Sequence, residues 1–420
     1  ENIFTNHLLV NRHLDSNNQY VNDSLTNILQ YTFTQSKLSG FALYTKKITA
    51  GTISAGVNTD LYMFNFIDSA RNINAGDADY WQWRTRWDSK DQAVLLQPFI
   101  QWKYPVNDNV ELLAGLHSQY FSLSNSFVAA EPRLGLKWRS NERNTWNFGT
   151  GLHSQIQPSY IYYYGSRNDA SGQPILDNLR LGFTRSAHVI GGFQRMMSST
   201  IRMKTEVYYQ YLFNVPVEEE TSSFSLVNSG AGFSRFFPRK LVNTGTGRNY
   251  GVELTVEKFF SKGYLFLLTG ALFEAKYQGS DKVWRDTDFN GNYAFNALFT
   301  KEWTLKTRNT ISVGSKITTA GGRRYGPVDV AASEREKDVV FEDATRNSMQ
   351  FRPYFRFDIR LNYKINRPKV THEIAVDLVN LLGTKNILKL TYAPDPATGN
   401  NIREEYQLGF LPLFYYRIDF

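Results

Sequence analysis

The segment Asp286-Thr-Asp-Phe-Asn-Gly291 has the residue types and spacing that begin a calcium-binding loop. Oxygen-bearing side chains stand at alternate positions (Asp286, Asp288 and Asn290), and a glycine follows at the sixth position. The twelfth position should supply a bidentate glutamate but is Ala297. Asp, Asn and Gly also favour tight turns. We interpret the segment as a turn, with a loose surface calcium site at these three residues as the alternative.

The histidines form no catalytic or metal-binding pattern. The six are His7, His13, His117, His153, His188 and His372. None stands at a spacing typical of metal ligands, and His372-Glu373 is not followed by the second histidine of a zinc-protease helix. No nucleophile is recognisably matched with a base. We therefore predict no catalytic residues, no cofactor and no enzyme activity.

Aromatic residues and arginines concentrate in two further segments. The candidates for substrate contact are Tyr80, Trp81, Trp83, Arg84, Arg86, Trp87, Tyr162 and Tyr163. Aromatic faces exposed on loops can stack on sugars or on the faces of chelates. The alternative, which we favour, is that these rings pack on other loops or lie at a lipid interface.

The elements that position these residues alternate with the period of a β-strand. In one segment, Phe355, Phe357, Ile359, Leu361, Tyr363 and Ile365 share a face, opposite Arg356, Asp358, Arg360, Asn362 and Lys364. So many charged and polar groups on one face do not suit the core of a sandwich. They suit a water-filled barrel lumen, with the apolar face toward lipid. We predict that Arg356, Asp358, Arg360 and Lys364 face the lumen.

Sixteen segments have this character. They are 3–14, 25–38, 49–67, 92–105, 109–123, 131–139, 144–156, 184–195, 200–213, 248–260, 264–277, 291–304, 309–319, 354–365, 371–382 and 408–420. Over most of the chain, short connections alternate with loops of up to about thirty residues, as in barrels with short periplasmic turns and long extracellular loops. The pattern predicts an all-β, transmembrane, antiparallel up-and-down barrel.

The last segment favours a membrane setting. Phe414, Tyr416 and Phe420 share its apolar face, and Phe420 is the final residue given. Outer-membrane barrels commonly end on such a strand, with the terminal aromatic ring at the membrane interface. We therefore assign these three residues to membrane contact or barrel assembly, with the carboxyl terminus on the periplasmic side.

Composition excludes several other classes. Aromatic residues make up 15% of the chain, more than a soluble core needs, whereas mean hydropathy is only −0.41. No apolar run approaches the length of a membrane-spanning helix. The net charge of +8 comes from 47 basic residues scattered among 39 acidic ones, so no nucleic-acid partner is expected. Cysteine is absent, which argues against a disulfide scaffold.

Several stretches resemble the C-terminal barrel of TonB-dependent outer-membrane receptors. They are Gly245–Leu254, Phe289–Asn296, Ala320–Pro327, Tyr354–Arg360, Val376–Leu382 and the terminal strand. The resemblance implies a 22-strand barrel around an N-terminal plug, and energised uptake of a siderophore, haem, cobalamin, oligosaccharide or peptide. It implies a TonB complex as partner, reached through a plug that is not in this chain.

The chain departs from this family pattern in having no plug and about sixteen strands. We expect residues 1–420 to be one barrel domain, part of a 22-strand barrel whose plug and leading strands are elsewhere. The alternatives are a passive porin of sixteen strands or a structural barrel subunit with partner proteins. Lipid and lipopolysaccharide are the other expected partners. The run Glu218-Glu-Glu220 is either a solvated loop segment or a site for ions that bridge lipopolysaccharide.

Overall fold

The computed structural model of the chain describes residues 2–5, 8–14, 16, 20–72, 76, 78–163, 175–229, 240–305, 308–336, 338–394 and 399–420. Its strands are β1 (Asn2–Thr5), β2 (Leu8–Leu14), β3 (Tyr20–Asn27), β4 (Leu29–Ile48), β5 (Gly51–Arg71), β6 (Trp83–Pro105), β7 (Val110–Phe121), β8 (Ser126–Arg139), β9 (Asn144–Gln155), β10 (Thr184–Met196), β11 (Ile201–Glu218), β12 (Leu241–Ser261), β13 (Tyr264–Gln278), β14 (Trp284–Asp286), β15 (Tyr293–Thr304), β16 (Thr310–Ala320), β17 (Arg324–Tyr325), β18 (Met349–Gln350), β19 (Tyr354–Asn366), β20 (Thr371–Val379), β21 (Ile387–Tyr392), β22 (Ile402–Tyr406) and β23 (Leu411–Asp419). Two short helices, α1 (Ser159–Tyr162) and α2 (Val330–Glu336), and a 3-10 turn at Leu226–Asn228 lie in the connections. No helix among the described residues combines the length and apolar character needed to cross a membrane.

One antiparallel sheet holds most of the chain. Its sixteen strands include β14, which pairs only with β13, and fifteen others that follow one another as β4-β5-β6-β7-β8-β9-β10-β11-β12-β13-β15-β16-β19-β20-β23. Along this path, each strand therefore pairs with the path strands before and after it in the chain. This is the up-and-down arrangement predicted from the alternation. Tight turns at 49–50, 106–109, 140–143, 197–200 and 367–370 connect strands at one end.

Fifteen of the sixteen predicted strands have counterparts in this sheet, and the first prediction is wrong. Residues predicted as one strand at 3–14 instead contribute β1 and β2, which join β3 in a separate three-stranded sheet. Hairpins between chain neighbours close short loops at low entropic cost, so alternation alone does not reveal which sheet a segment joins. The predicted break at 39–48 is also wrong, because β4 continues to Ile48. Gly51, with φ of +106°, then occupies the hairpin turn in a conformation that glycine adopts without strain.

The two faces of the sheet differ in chemistry along its length. One, the polar face, carries hydrogen-bonded groups such as Asp60, Gln97 and Gln210. The other, the apolar face, carries large exposed side chains such as Leu134, Val207 and Phe414, the last 75% exposed. A water-soluble sheet would cover such a face. The apolar face therefore suits contact with lipid.

The edges of the sheet, β4 and β23, do not pair with each other. Every neighbouring pair along the path is antiparallel, and the path has an odd number of strands. The two edge strands therefore run in the same direction. They would meet in parallel if the sheet were rolled up on itself.

Candidate functional site

A ladder of polar side chains crosses the polar face of β6 to β9. The Gln97 amide donates to Gln119 Oε1 at 2.9 Å, and the Gln119 amide donates to Glu131 Oε1 at 3.0 Å. His117 Nδ1 lies 2.5 Å from Glu131 Oε2, and the Glu131 side chain is fully buried. Arg133 adds a cation 3.6 Å from the same carboxylate. Burial of this carboxylate is tolerable because every neighbour is a donor or a positive charge.

The ladder continues into β10 through a pair of stacked histidines. The rings of His153 and His188 lie 4.4 Å apart and nearly parallel. Beyond them, Gln210 donates to Ser186 Oγ at 2.8 Å, and Asn249 donates to Gln210 Oε1 at 2.9 Å. The polar face therefore presents a continuous band of exchangeable donors and acceptors, including three of the six histidines.

The predicted lumen residues of β19 converge on a second buried carboxylate, Glu373 of β20. Arg360 lies 3.7 Å and Lys364 lies 3.9 Å from it, and its side chain is 6% exposed. Arg356 pairs instead with Asp358, at 2.9 Å on the same strand. All four predicted residues lie on the polar face, and their position in a lumen stays a prediction.

The described parts of the connection between β9 and β10, residues 156–163 and 175–183, pack onto the polar face near the ends of β5 to β7. We call this packed group the apolar loop cluster. Its fully or nearly buried members are Tyr62, Phe64, Phe66, Trp87, Ala93, Leu95, Phe121, Val128, Ile161, Tyr162, Tyr163, Leu181, Phe183, Leu226 and Leu241. It includes edge-to-face contacts, with ring centroids 5.3 Å apart for Phe33 and Trp87 and 5.6 Å apart for Phe64 and Tyr163. Here the sheet has a dry core.

Three of the predicted substrate-contact residues belong to this core. Trp87, Tyr162 and Tyr163 are each 2% exposed or less, so they pack on other segments, as the favoured alternative expects. The backbone N–H of Gln157 donates to the Tyr162 hydroxyl at 3.1 Å, while burial raises the pKa of Tyr162 to about 12. Burial and the nearby Asp91 carboxylate also raise the pKa of Tyr163. In this conformation none of these three rings is open to a ligand.

Other predicted contact residues are accessible at the end of the β5–β6 hairpin. Tyr80 is 48% and Trp83 is 39% exposed. The Arg71 guanidinium lies 5.0 Å from the Trp83 ring and 5.3 Å from the Trp81 ring, within cation–π range. Trp81 has a φ of +69°, which costs strain for a bulky residue, and such strain tends to accumulate at functional sites. We call Arg71, Tyr80, Trp81 and Trp83 the aromatic hairpin tip.

The remaining two candidates lie next to this tip. Arg84 forms a bidentate ion pair with Asp79. Hydrogen bonds from Arg84 and Asn72 lower the pKa of Asp79 to about 2, so this carboxylate is charged at any physiological pH. The side chain of Arg86 lies outside the described residues. Because Trp83, Arg84 and Trp87 fall within β6, which begins nine residues before the strand predicted at 92–105, the connection between β5 and β6 is shorter than the strand predictions imply.

A second group of loops is held by hydrogen bonds. This polar loop cluster consists of residues 219–223, 228, 279–292, 321–336 and 338–350; Phe224 and Leu226, between its first two parts, pack in the apolar loop cluster. Its links include Ser223 Oγ to Asp343 at 2.6 Å, Arg285 to the Ala344 carbonyl at 3.2 Å, and the Asp288 N–H to Asn228 at 3.1 Å. Residues far apart in sequence are thereby joined mainly through polar groups.

The calcium-like segment lies inside this polar loop cluster, and its oxygens already have partners. Asn290 is fully buried and donates to Asp286 Oδ1 at 2.8 Å. Lys276 also contacts Asp286 Oδ1, at 3.1 Å, and Asn347 donates to Asp288 Oδ1 at 2.7 Å. Over the described part of the chain, no three His, Asp or Glu side chains group in a way that could hold a metal ion. The geometry agrees with the turn interpretation.

The predicted membrane or assembly residues lie at the edge of the sheet. Phe414 and Tyr416 are on the apolar face of β23, with Tyr416 Oη 2.6 Å from His372 Nδ1, and Phe420 follows the strand fully exposed. Their roles stay predictions.

Sequence reasoning missed the clustering of Glu131, Glu373 and Asp343 with their donors. Each carboxylate meets partners on another strand or loop, up to 120 residues away for Ser223 and Asp343. The sequence marks such a carboxylate only as an acidic residue at a polar position. Many solvated acidic residues share this feature, so it does not identify the buried ones.

Fold and polar face together define an antiparallel up-and-down sheet of the kind that forms outer-membrane receptor barrels. The family model described as TonB dependent receptor-like, beta-barrel matches residues 2–381, so the chain belongs to this family, which places it in the bacterial outer membrane. No curated protein sequence matches the chain.

Solved structures with the same fold are receptors and transporters. The copper transporter OprC is 14% identical with a TM-score of 0.60, over 93% of this chain and 57% of OprC. The ferric yersiniabactin uptake receptor FyuA of Yersinia pestis is 11% identical with a TM-score of 0.59, over 100% of this chain and 56% of FyuA. BauA, the ferric preacinetobactin receptor of Acinetobacter baumannii, is 12% identical with a TM-score of 0.58, over 94% and 55%. The chain thus spans little more than half the length of these proteins.

Proposed function

We propose that this chain is the C-terminal barrel portion of a receptor for TonB-energised uptake of a large nutrient, with no enzyme activity. The observation that carries the proposal is the sheet itself, with a polar face, an apolar face and long loops gathered at one end. A barrel built this way admits a solute through a wet interior while its outer surface meets lipid.

The unpaired edge strands β4 and β23 indicate that the complete barrel contains more strands than this chain provides. Unpaired strand edges are not tolerated in lipid, so β4 and β23 require partners. An odd number of further strands is needed for antiparallel pairing at both edges. Seven would complete the 22 strands of plugged outer-membrane transporters. We propose that these strands and the plug that contacts TonB belong to the same receptor, with residues 1–420 as part of one barrel domain.

The orientation follows from the connections. Short turns lie at one end of the sheet and the longer loops mostly at the other, and outer-membrane barrels keep short turns in the periplasm. In this orientation β23 descends, the carboxyl terminus is periplasmic and both loop clusters are extracellular.

The aromatic hairpin tip is the proposed first contact for substrate. Its exposed rings and the Arg71 cation suit a flat, partly anionic molecule such as a ferric chelate or haem, and stacking also suits oligosaccharides. Trp87, Tyr162 and Tyr163 hold the adjacent loop and would act indirectly. The polar ladder around Glu131 is the proposed path below the tip.

Growth of a receptor-deleted strain tests the proposal. The strain is complemented with the full receptor gene and supplied in turn with a ferric siderophore, haem, cobalamin, an oligosaccharide and a peptide as the sole source of the limiting nutrient. We expect growth on one of them, lost when TonB is deleted and reduced by Trp83→Ala. Growth on none, or growth that persists without TonB, would contradict the proposal.

A passive porin is the second candidate, because one loop packs against the polar face as loops do in porin channels. Conductance across a planar bilayer separates the two functions. A porin gives stable open channels without TonB, whereas a plugged receptor gives none. The odd strand path argues against a self-closed sixteen-strand porin.

A further inference from the structure

Two arginines in the upper part of the apolar face, on strands separated only by β11, have no acidic partner among the described residues. Arg185 of β10 and Arg248 of β12 have no ion pair with any described residue, and the Nε atom of each is buried without a hydrogen-bond acceptor. Elsewhere on the sheet, cations such as Arg202, Lys276 and Arg360 meet carboxylates. An unneutralised guanidinium on a lipid-facing surface calls for an anion from outside the protein.

Aromatic rings hold both arginines in place. The Arg185 guanidinium lies 5.2 Å from the Phe213 ring, and that of Arg248 lies 4.3 Å from the Trp284 ring. Tyr211, which pairs with Arg248, stacks on Phe213 with centroids 6.1 Å apart. Strand β11, which carries Tyr211 and Phe213, lies between β10 and β12. The two arginines are therefore two strand spacings apart, which is roughly 10 Å. Stacked guanidinium groups are oriented for bidentate contact with phosphate oxygens.

The position of the two arginines along the barrel axis corresponds to the outer edge of the lipid bilayer. Tyr211 lies ten residues after Ile201, where β11 leaves the short turn at 197–200. At a rise of about 3.3 Å per residue and a tilt of about 40°, that distance corresponds to roughly 25 Å along the barrel axis. The apolar band of such barrels is about 25 Å tall, so the arginines reach the level of the outer-leaflet headgroups.

Below the arginines, the apolar face is indented. A groove of about 330 Å³ is lined by Leu134, Leu152, Ala187, Val189, Tyr209 and Tyr211. A second groove of about 400 Å³, lined almost wholly by apolar atoms, shares Leu134 and Val189 with the first and continues to Trp102. The small residues Ala114, Ala187 and Gly191 leave this space among large neighbours. An acyl chain fits an apolar channel that runs down from a cationic site.

We propose that Arg185, Arg248 and the adjoining grooves form a binding site for a phosphorylated glycolipid of the outer leaflet. Phosphate oxygens would accept hydrogen bonds from the two guanidinium groups while an acyl chain occupies the grooves. A disaccharide headgroup with a phosphate at each end can span the separation of the arginines. The site lies on the face opposite the polar ladder and does not depend on what the receptor imports.

Native mass spectrometry of the full receptor in detergent micelles tests this site, with titration of diphosphoryl lipid A, its dephosphorylated form and phosphatidylglycerol. We expect the wild type to bind diphosphoryl lipid A at least tenfold more tightly than the other two lipids. R185Q/R248Q should lose that preference, while R185K/R248K, which retains charge but not the bidentate fork, should keep part of it. The matched control K204Q/K316Q removes the same charge from the polar face and should bind like the wild type.

Any of three results with lipid A would overturn the proposal. They are equal affinity of the wild type for phosphorylated and dephosphorylated lipid A, unchanged binding by R185Q/R248Q, and an equal loss in K204Q/K316Q. Tight binding of phosphatidylglycerol would also overturn it, because a general anionic-lipid site would then be present. If R185Q/R248Q does not fold, as judged by heat-dependent migration in detergent gels, the lipid preference of the wild type still decides the question.

Discussion

The apolar and polar loop clusters hold long connections at the same end of the sheet by opposite chemistry. The apolar loop cluster removes rings such as Trp87, Phe121 and Tyr162 from water. The polar loop cluster joins its loops through pairs such as Ser223–Asp343 and Arg285–Asp281. Burial of apolar area stabilises in proportion to the area lost, whereas each hydrogen bond replaces one to water and contributes little net.

This difference indicates that the two loop clusters differ in mobility. Loops held by exchangeable hydrogen bonds can rearrange around a ligand at small cost, since water or ligand groups replace the lost partners. A dry core does not open without exposing apolar surface. If the proposed uptake function holds, we expect the polar loop cluster to move when substrate binds and the apolar loop cluster to act as a fixed support for the aromatic hairpin tip.

Trp87→Ala should have the largest effect. Trp87 is 1% exposed and contacts Phe33, so truncation leaves a cavity and should destabilise the protein by about 3–5 kcal/mol. Urea unfolding of the refolded protein measures this loss. The matched control Trp83→Ala removes the same side chain from an exposed position and should cost less than about 1 kcal/mol. Equal losses of stability in the two variants would show that the apolar loop cluster does not act as a hydrophobic core.

Asp343→Ala should have an intermediate effect confined to the polar loop cluster. The Asp343 carboxylate accepts bonds from the Ser223 backbone N–H, at 3.0 Å, and from its hydroxyl, at 2.6 Å. Their loss should cost about 1–3 kcal/mol locally. Hydrogen exchange should accelerate in residues 219–223 and stay unchanged in residues 175–183. Asp338→Ala is the control, because among the described residues Asp338 accepts a hydrogen bond only from the backbone N–H of Val339. Faster exchange in both clusters would contradict their independence.

The two clusters should respond to opposite ends of the pH scale. Burial raises the Tyr162 pKa from 10.0 to about 12, so its contribution is complete below pH 10 and is lost as pH rises through 12. Burial opposes ionisation of Asp281, but hydrogen bonds from Arg285 outweigh it and lower the pKa below 3.8. That contribution is present above pH 3.8 and is lost as pH falls through the lowered value.

Hydrogen exchange, corrected for its intrinsic pH dependence, measures both responses. Alkali should open residues 175–183 first, and acid should open residues 279–292 first. Tyr162→Phe should reduce the alkaline response, and Asp281→Asn should reduce the acid response. Opening of both clusters at the same pH would indicate global unfolding instead.

The sequence predicted the strands well where the two faces differ in polarity. In β19, for example, the charged residues Arg356, Asp358 and Arg360 alternate with the apolar residues Phe357 and Ile359. This alternation fits only a strand, and it shows which residues share each face of the sheet. The signal weakens near the ends of β5 and β6. There Tyr62, Phe64 and Phe66 are packed under a loop, so both faces are apolar and the period of two fades. In β6, residues 88–92 are polar on both faces, so the period of two is lost there as well, and the sequence does not indicate that Trp83 and Trp87 lie in β6.

The candidate site was harder to predict than the strands, because its contacts are not local. Glu131 and His117 lie on neighbouring strands, and Ser223 and Asp343 are brought together by loops. Alternation states which face a residue occupies but not which partner it meets across strands or loops. The composition of the sequence indicates the aromatic residues of the hairpin tip. The contact of Arg71 with Trp81 and Trp83 cannot be predicted in the same way, because it depends on where β5 ends.

Calcium should have the smallest effect, and the polar loop cluster should be insensitive to it. A loop that binds calcium keeps its oxygens free for the ion, yet Asp286 already contacts Lys276 and Asn290, and Asp288 contacts Asn347. Binding would have to displace a cation and two amides. Adding calcium up to millimolar concentration, or removing it with a chelator, should therefore leave the unfolding midpoint and the exchange of residues 279–292 unchanged. A calcium-dependent stabilisation that disappears in Asp286→Asn would replace the turn interpretation with a metal site, and hydrogen bonds would then explain only part of the polar loop cluster's stability.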